Sequence, residues 1–500
     1  MSQQQDTGVA VDVEAQILES DLLSSSRAGP AAVRGGTLRV GSFFGSSLLA
    51  AGSAALLFRH LGVVQTGHYT TALSLSAVVT GFTDLGLTAI GMREMAVLEG
   101  EERALMARDL LGIRLLLTVV GVVLITLFAR VAYNGYLAAA VLIAGGGVLF
   151  QNTQTTLSVP LMARLRLGWV AILSVVQQLI SSVLIVVLVL VGAHLLPFMA
   201  TPLVAALIVL LPTIMLVRGD IPILPSFQFH RWRALLAPVF TYSAAAAAST
   251  LYFRVAIVLV SVMAGAKELG YYSVSFRVVE VLFTIPALLV SSAFPVFARA
   301  ARDDPARLGY ALSRVFETSA IIGVWTALSL AVGARLAVEI LGGNEFLAAV
   351  PILAVQGIAV GATFISAVFG YGMLSLHLHR TILFLNLGML ALVSVVVAAL
   401  TALDGAEGAA IGMAAVEVVA ATVGGVVLVR GRPHLMPRLS VLPKVGLAGL
   451  LGALTLLLSG LPVTVRLALS TLIYAAVVFA LRALPEELNV VLPPILRRGD

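Results

Sequence analysis

The chain has 500 residues, 60% of them hydrophobic and 11% charged, with a mean hydropathy of +1.05. A soluble domain carries roughly a quarter charged residues, so a water-soluble enzyme is excluded. At about 20 apolar residues per bilayer crossing, the length holds on the order of fourteen spans and leaves no room for a large extramembrane domain. With 0 Cys there is neither a disulfide framework nor a thiolate metal site.

In chain order, residues 1–37 are polar and acidic (Asp6, Asp12, Glu14, Glu19, Asp21). They lack the basic start and short apolar core of a signal peptide and read as a disordered cytoplasmic tail. Apolar runs then predict spans at 38–58, 70–90, 111–129, 136–157, 169–191 and 196–217. A polar linker, 218–238, separates these from spans at 239–263, 273–297, 315–334, 350–376, 381–402 and 409–429. Two shorter spans, 445–461 and 466–482, form a C-terminal appendage within 430–482, and 483–500 is a second cytoplasmic tail.

Fourteen spans place both termini on one side. With that side cytoplasmic, most of the 31 Lys and Arg residues fall in inner segments. The outer loops hold only Arg59, Arg130, Lys267, Arg335 and Arg466; Arg254 and Arg277 lie deep within spans, and Arg114, near the start of the third, counts with the inner segments. This asymmetry is the positive-inside pattern of a multi-pass membrane protein, with a bacterial or archaeal cytoplasmic membrane as the expected location. It accounts for the formal charge of +6 without a nucleic-acid partner, because the cations face anionic headgroups rather than forming one stripe.

The sequence also repeats. Gly67-His68-Tyr69 opens the second span and Gly270-Tyr271-Tyr272 opens the eighth. The same offset takes spans one and three to spans seven and nine. A shift of six spans preserves orientation, so the repeat is parallel, about an axis along the membrane normal. The fold expected is an all-α integral membrane protein of 14 transmembrane helices. Two pseudo-symmetric six-helix lobes, 38–217 and 239–429, enclose a central cavity.

Leu61-Gly62, Gly67-His68-Tyr69, Phe82-Thr83-Asp84-Leu85-Gly86-Leu87 and Met92-Arg93-Glu94 resemble the opening pattern of polysaccharide flippases. These form a branch of the multidrug/oligosaccharidyl-lipid/polysaccharide exporter superfamily. Arg277 to Arg299, with Ile285-Pro286-Ala287 and Ala293-Phe294-Pro295, is similar to the eighth span of that superfamily. The resemblance implies alternating access by two rocking lobes. The cargo implied is a lipid-linked oligosaccharide, a glycan on polyprenyl diphosphate, carried to the outer leaflet for O-antigen, lipopolysaccharide or another surface polysaccharide. The implied partners are that substrate, membrane lipids, and a polysaccharide polymerase or glycosyltransferases.

Ionisable groups inside spans are costly and mark functional candidates. Arg254 lies mid-span, and Ser243, Thr250 and Ser261 fall within about 20° of its direction on a helix. This stripe reads either as a grip on a diphosphate or as a structural arginine paired with Asp84 or Glu417. Arg277 and Glu280, three residues apart, can pair along one face, Arg277 as a substrate contact and Glu280 as an acid for ion coupling or gating, or Arg277 can snorkel to the headgroups. Asp84 is a candidate for proton titration, for pairing with Arg254, or for support of an inner gate. Glu417, mid-depth in span twelve, is a candidate for ion coupling against plain packing, and Glu317 reads as a cap. The polar run Gln151, Asn152, Gln154, Thr155, Thr156 closes span four, with Gln177 and Gln178 in span five. These amides suit sugar hydroxyls, or hydrogen bonds between helices.

Gly145-Gly146-Gly147 lacks the following Lys-Ser/Thr of a phosphate loop, and His377 with His379 lacks nearby acids for a metal. No cofactor and no catalytic residue is called for, and energy would come from an ion gradient, the membrane potential or polymer consumption. Competing readings are a cation-coupled multidrug exporter, which would favour surplus acids, and a peptidoglycan-precursor flippase, which would place arginines in the first spans. A membrane glycosyltransferase or polymerase would need catalytic acids in sizeable outer loops, and the longest such loop offers only Glu339 and Glu345. A non-transporting scaffold of the same fold would look alike.

Overall fold

In a computed structural model, residues 28–84, 86–236 and 240–484 are described. They are all-helical, with no strand among them. The membrane-level elements are α1 (Ala28–Asp84), α2 (Leu87–Met95), α3 (Gly100–Ala132), α4 (Gly135–Leu157), α5 (Val159–Ala163), α6 (Leu167–Leu190) and α7 (Leu195–Val217). A short linker helix, α8 (Phe229–Leu236), leads to α9 (Phe240–Met263), α10 (Gly265–Leu282), α11 (Thr284–Asp303), α12 (Pro305–Leu341), α13 (Ala349–Ser375) and α14 (His379–Val429). The chain then forms α15 (Val441–Ala453) and α16 (Val463–Ala480). The expected cytoplasmic tails lie largely outside the described residues, although α1 already begins at Ala28, inside the stretch read as tail.

Among the described residues, ten helical stretches are long and apolar enough to cross a membrane. Two of them, Gly45–Met95 and His379–Val429, have 51 residues each and contain non-helical breaks, at Gly62 in α1 and at Asp404–Gly405 in α14. Two further apolar helices, Leu251–Met263 and Val441–Leu457, are shorter. Outward-facing positions are occupied by Leu124, Val131, Leu190 and Leu403, all exposed. In water such a surface would drive aggregation, whereas against lipid it is the expected solvent contact.

Local chemistry sets several boundaries. Asn134 accepts the Leu137 N–H at 2.9 Å to cap α4. Asp304 accepts the Arg307 N–H at 3.0 Å to cap α12, with Pro305 at the first helical position, where its missing N–H costs nothing. The expected eighth span is divided between α10 and α11, which meet at Phe283 just ahead of Pro286. The expected second span is divided at Gly86, which takes φ 71.

The two halves pack in matching order. In the first, α1 packs on α6, α3 on α4, and α4 on α7. In the second, α9 packs on α14, α12 on α13, and α13 on α14. The offset that separates Gly67 from Gly270 also relates Gly62 to Gly265, and these take φ 71 and φ 85. Both mark the turn between the first and second helices of their half, a left-handed conformation that glycine adopts without a Cβ penalty. The helices α15 and α16 pack on α12, where the Tyr474 hydroxyl donates to the Ile321 carbonyl at 2.7 Å.

Candidate functional site

A cavity of about 720 Å³ lies between the lobes, lined by α1, α3, α4, α6 and α7 on one side and by α9 and α10 on the other. Arg254, Arg277, Glu280, Asp84, Gln151 and Asn152 all line it.

One charged cluster stands on the C-lobe wall. Glu280 accepts from Arg254 at 2.6 Å through Oε1 and from Arg277 at 2.9 Å through Oε2. The three side chains are 27–31% exposed, so they meet the cavity rather than the protein interior. The Arg254 guanidinium also sits 5.7 Å from the Phe276 ring centroid, within cation–π range. The Arg277 Nε has no hydrogen-bond partner. Two guanidiniums against one carboxylate leave the cluster a net positive charge. The expected i,i+3 pair is present, while Arg277 lines the cavity instead of reaching the headgroups.

The second charged group belongs to the N-lobe. Asp84 pairs with Arg114 and accepts from the Thr88 hydroxyl at 2.6 Å. Arg114 also donates to Thr88 and Thr156, each at 3.3 Å. The Arg114 side chain is 4% exposed and that of Asp84 is 40% exposed. Beside them Asn152 donates to Thr83 at 2.9 Å and Thr118 at 3.0 Å. This network joins the end of α1 to α2, α3 and α4, bracing the chain where it breaks at Gly86.

Several sequence expectations take different places. Arg254 pairs with Glu280 rather than with Asp84 or Glu417. Gln154 turns into the N-lobe, its amide toward Ser158 at 3.4 Å and Thr213 at 3.5 Å. Glu417 is buried beside Tyr252 and Thr363 in the C-lobe, outside the cavity, and its Oε1 has no hydrogen-bond partner. Glu317 pairs with Arg314 at 3.0 Å. The side chains of Ser243 and Thr250 lie outside those described. Among the described residues no group of acids and histidines could hold a metal. Arg114, which the charge count assigns to the inner boundary, instead anchors the network around Asp84. Its signal was an arginine already flanked on both sides by apolar residues.

Beyond Tyr69 and Thr70 of the cavity lining, the lobes meet backbone to backbone in a close seal. Gly67 lies against the Ala266 carbonyl and Gly270 against the Val63 carbonyl, so closely that neither has room for a Cβ. The repeat offset takes Gly67 to Gly270 and Val63 to Ala266, so the two contacts are one contact made twice. Arg59 reinforces this end by donating to the carbonyls of Glu339 and Ile340, both at 2.8 Å. Tyr133 and Ser261 share a hydrogen bond of 2.5 Å there. From this seal the lining runs down to Asp84, Gly86 and Thr155.

The sequence profile of a family described as polysaccharide biosynthesis protein matches residues 56–351. No curated protein matches the chain. Among solved structures, the fold is similar to that of a lipid II flippase, MurJ, in an inward closed conformation. Its TM-score is 0.75 at 13% identity, covering 89% of this chain and 98% of that one. A multidrug resistance MATE family transporter of the MOP superfamily, in an inward-facing conformation, gives 0.62 at 13% identity, with 80% and 98% covered. The Vibrio cholerae MATE transporter VcmN gives 0.52 at 14% identity, with 82% and 100% covered.

Proposed function

Because the chain belongs to the polysaccharide biosynthesis protein family, a multi-pass transporter family of the multidrug/oligosaccharidyl-lipid/polysaccharide exporter superfamily, we propose that it flips a lipid-linked oligosaccharide. The substrate would be a glycan on polyprenyl diphosphate, moved from the inner to the outer leaflet by alternating access. The observation that carries this reading is the Arg254–Glu280–Arg277 cluster on the cavity wall. Forked guanidiniums match the paired oxygens of a phosphoryl group, and the surplus positive charge favours an anion over a drug cation. A volume of about 720 Å³ suits the diphosphate and the first sugars, with Gln151 offering an amide for hydroxyl groups.

In this reading the chain crosses the membrane fourteen times, each broken 51-residue stretch crossing twice, with both termini cytoplasmic. The Gly67–Gly270 seal then faces outward, and the cavity loads from the inner leaflet. Outward movement of the anion is assisted by an inside-negative potential, by about 2.3 kcal/mol per charge per 100 mV. Glu417 and Asp84 are the acids proposed for ion coupling and gating.

Proteoliposomes test the reading. The readouts are leaflet exposure of a tagged lipid-linked glycan, efflux of a cationic dye, and glycan chain growth. Glycan exposure that depends on the protein supports the proposal. Dye efflux alone supports an exporter, and chain growth an enzyme.

A further inference from the structure

We infer that Glu280 is a built-in stand-in for the substrate's phosphate, holding Arg254 and Arg277 together until an incoming diphosphate displaces it. The inference rests on the lipid-linked substrate proposed above and assigns the step that selects for it.

Three observations converge. First, Glu280 uses both carboxylate oxygens, one for each arginine, at 2.6 and 2.9 Å. A phosphoryl group presents a similar pair of oxygens and one more, so it can take both guanidiniums in the same arrangement. Second, the cluster is open to the cavity, with about a third of each side chain exposed, so a ligand reaches it without unfolding the wall. Third, Glu280 meets each guanidinium through a single nitrogen, Nη2 of Arg254 and Nη1 of Arg277. A diphosphate supplies more acceptors than the one carboxylate does.

The arrangement differs from that of Arg114. That arginine is held by Asp84, Thr88 and Thr156 and is almost fully covered, so an anion in the cavity meets Arg254 and Arg277 first. Without Glu280, two bare cations would repel each other on a low-dielectric wall. With it, they stay at a spacing that fits phosphate. The carboxylate also returns to the arginines once the cargo reaches the other leaflet, and so competes for them during release.

The consequence runs against ordinary intuition for a residue lining a binding site. Replacing Glu280 with glutamine keeps its shape and removes the competing charge. Binding should tighten and turnover should slow. Loss of one charge-assisted competitor corresponds to a change of about ten- to a hundredfold in affinity.

Calorimetric titration of inorganic pyrophosphate into detergent-purified protein reads this directly, with wild type, Glu280→Gln, Glu280→Asp and Arg254→Ala compared. Tighter binding by Glu280→Gln, near-wild-type binding by Glu280→Asp and loss by Arg254→Ala support the inference. Circular dichroism and a thermal melt confirm folded protein in each case. Wild-type binding that depends on Arg254 but is unchanged or weakened in Glu280→Gln overturns the inference and leaves the substrate reading standing. Absence of Arg254-dependent binding in wild type removes the substrate reading and the inference with it.

Discussion

The seal between the lobes gives a prediction whose sign and size follow from two glycines. A Cβ on Gly67 meets the Ala266 carbonyl, and one on Gly270 meets the Val63 carbonyl. Both partners are backbone, which cannot swing aside as a side chain would. Gly67→Ala or Gly270→Ala therefore opposes the sealed arrangement and leaves a separated one untouched. Overpacking of this kind costs about 1–3 kcal/mol, a shift of about 5- to 150-fold in the ratio of sealed to open protein. The better helix propensity of alanine acts on both states and cancels. Because the two contacts are related by the repeat, both single variants should shift by a similar amount, and the double variant by more. The chain has 0 Cys, so one introduced thiol reports without background. Ser273→Cys lines the cavity and is buried. Its rate of reaction with a charged maleimide, added from the Gly67 side, should rise in each glycine variant. An unchanged rate in both, at equal amounts of folded protein, would falsify the idea that this contact closes the cavity.

Other outcomes follow from the same geometry. Arg254→Ala should abolish glycan flipping in proteoliposomes while Arg254→Lys retains part of it, since the charge survives without the fork; wild-type rates from the alanine variant at equal membrane levels contradict the assignment. Asp84→Asn leaves Arg114 buried without a counter-charge, a cost of about 3–5 kcal/mol, and should lower the melting temperature. The double variant Asp84→Asn, Arg114→Gln should recover much of that loss, and no drop in the single variant would mean the pair does not brace α1 against α3. Asn152→Ala strips Thr83 and Thr118 of a shared donor and should cost about 1–3 kcal/mol in a thermal melt, without changing pyrophosphate affinity. Glu417→Gln should preserve pyrophosphate binding but make glycan flipping insensitive to an imposed ion gradient; a full response to the gradient excludes Glu417 as the coupling group.

Much of the architecture was legible in the sequence because membrane crossing imposes long apolar runs. Gly67 and Gly270 were legible as repeat anchors, although their contact with each other's lobe was not. A close backbone approach leaves no pattern beyond the absence of a side chain. The Arg277–Glu280 pair followed from i,i+3 spacing, whereas the partner of Arg254 stands on another helix, and spacing cannot supply it. Arg114 was hidden because an arginine early in an apolar run reads equally as a boundary charge. In the polar run of α4, Gln151 and Thr155 are four apart and share the cavity face. Gln154 is three from Gln151, and the helix turns by about 300° over that distance. That carries its side chain off the cavity face and into the N-lobe.

The central claim is that the pocket between the lobes takes a phosphorylated lipid headgroup. A structure of the protein in nanodiscs, loaded with a short polyprenyl diphosphate glycan, measures it most directly. The account predicts the diphosphate within hydrogen-bonding distance of Arg254 and Arg277, with the Glu280 carboxylate displaced from at least one of them. A diphosphate bound outside the cavity, with both arginines still held by Glu280, would contradict it.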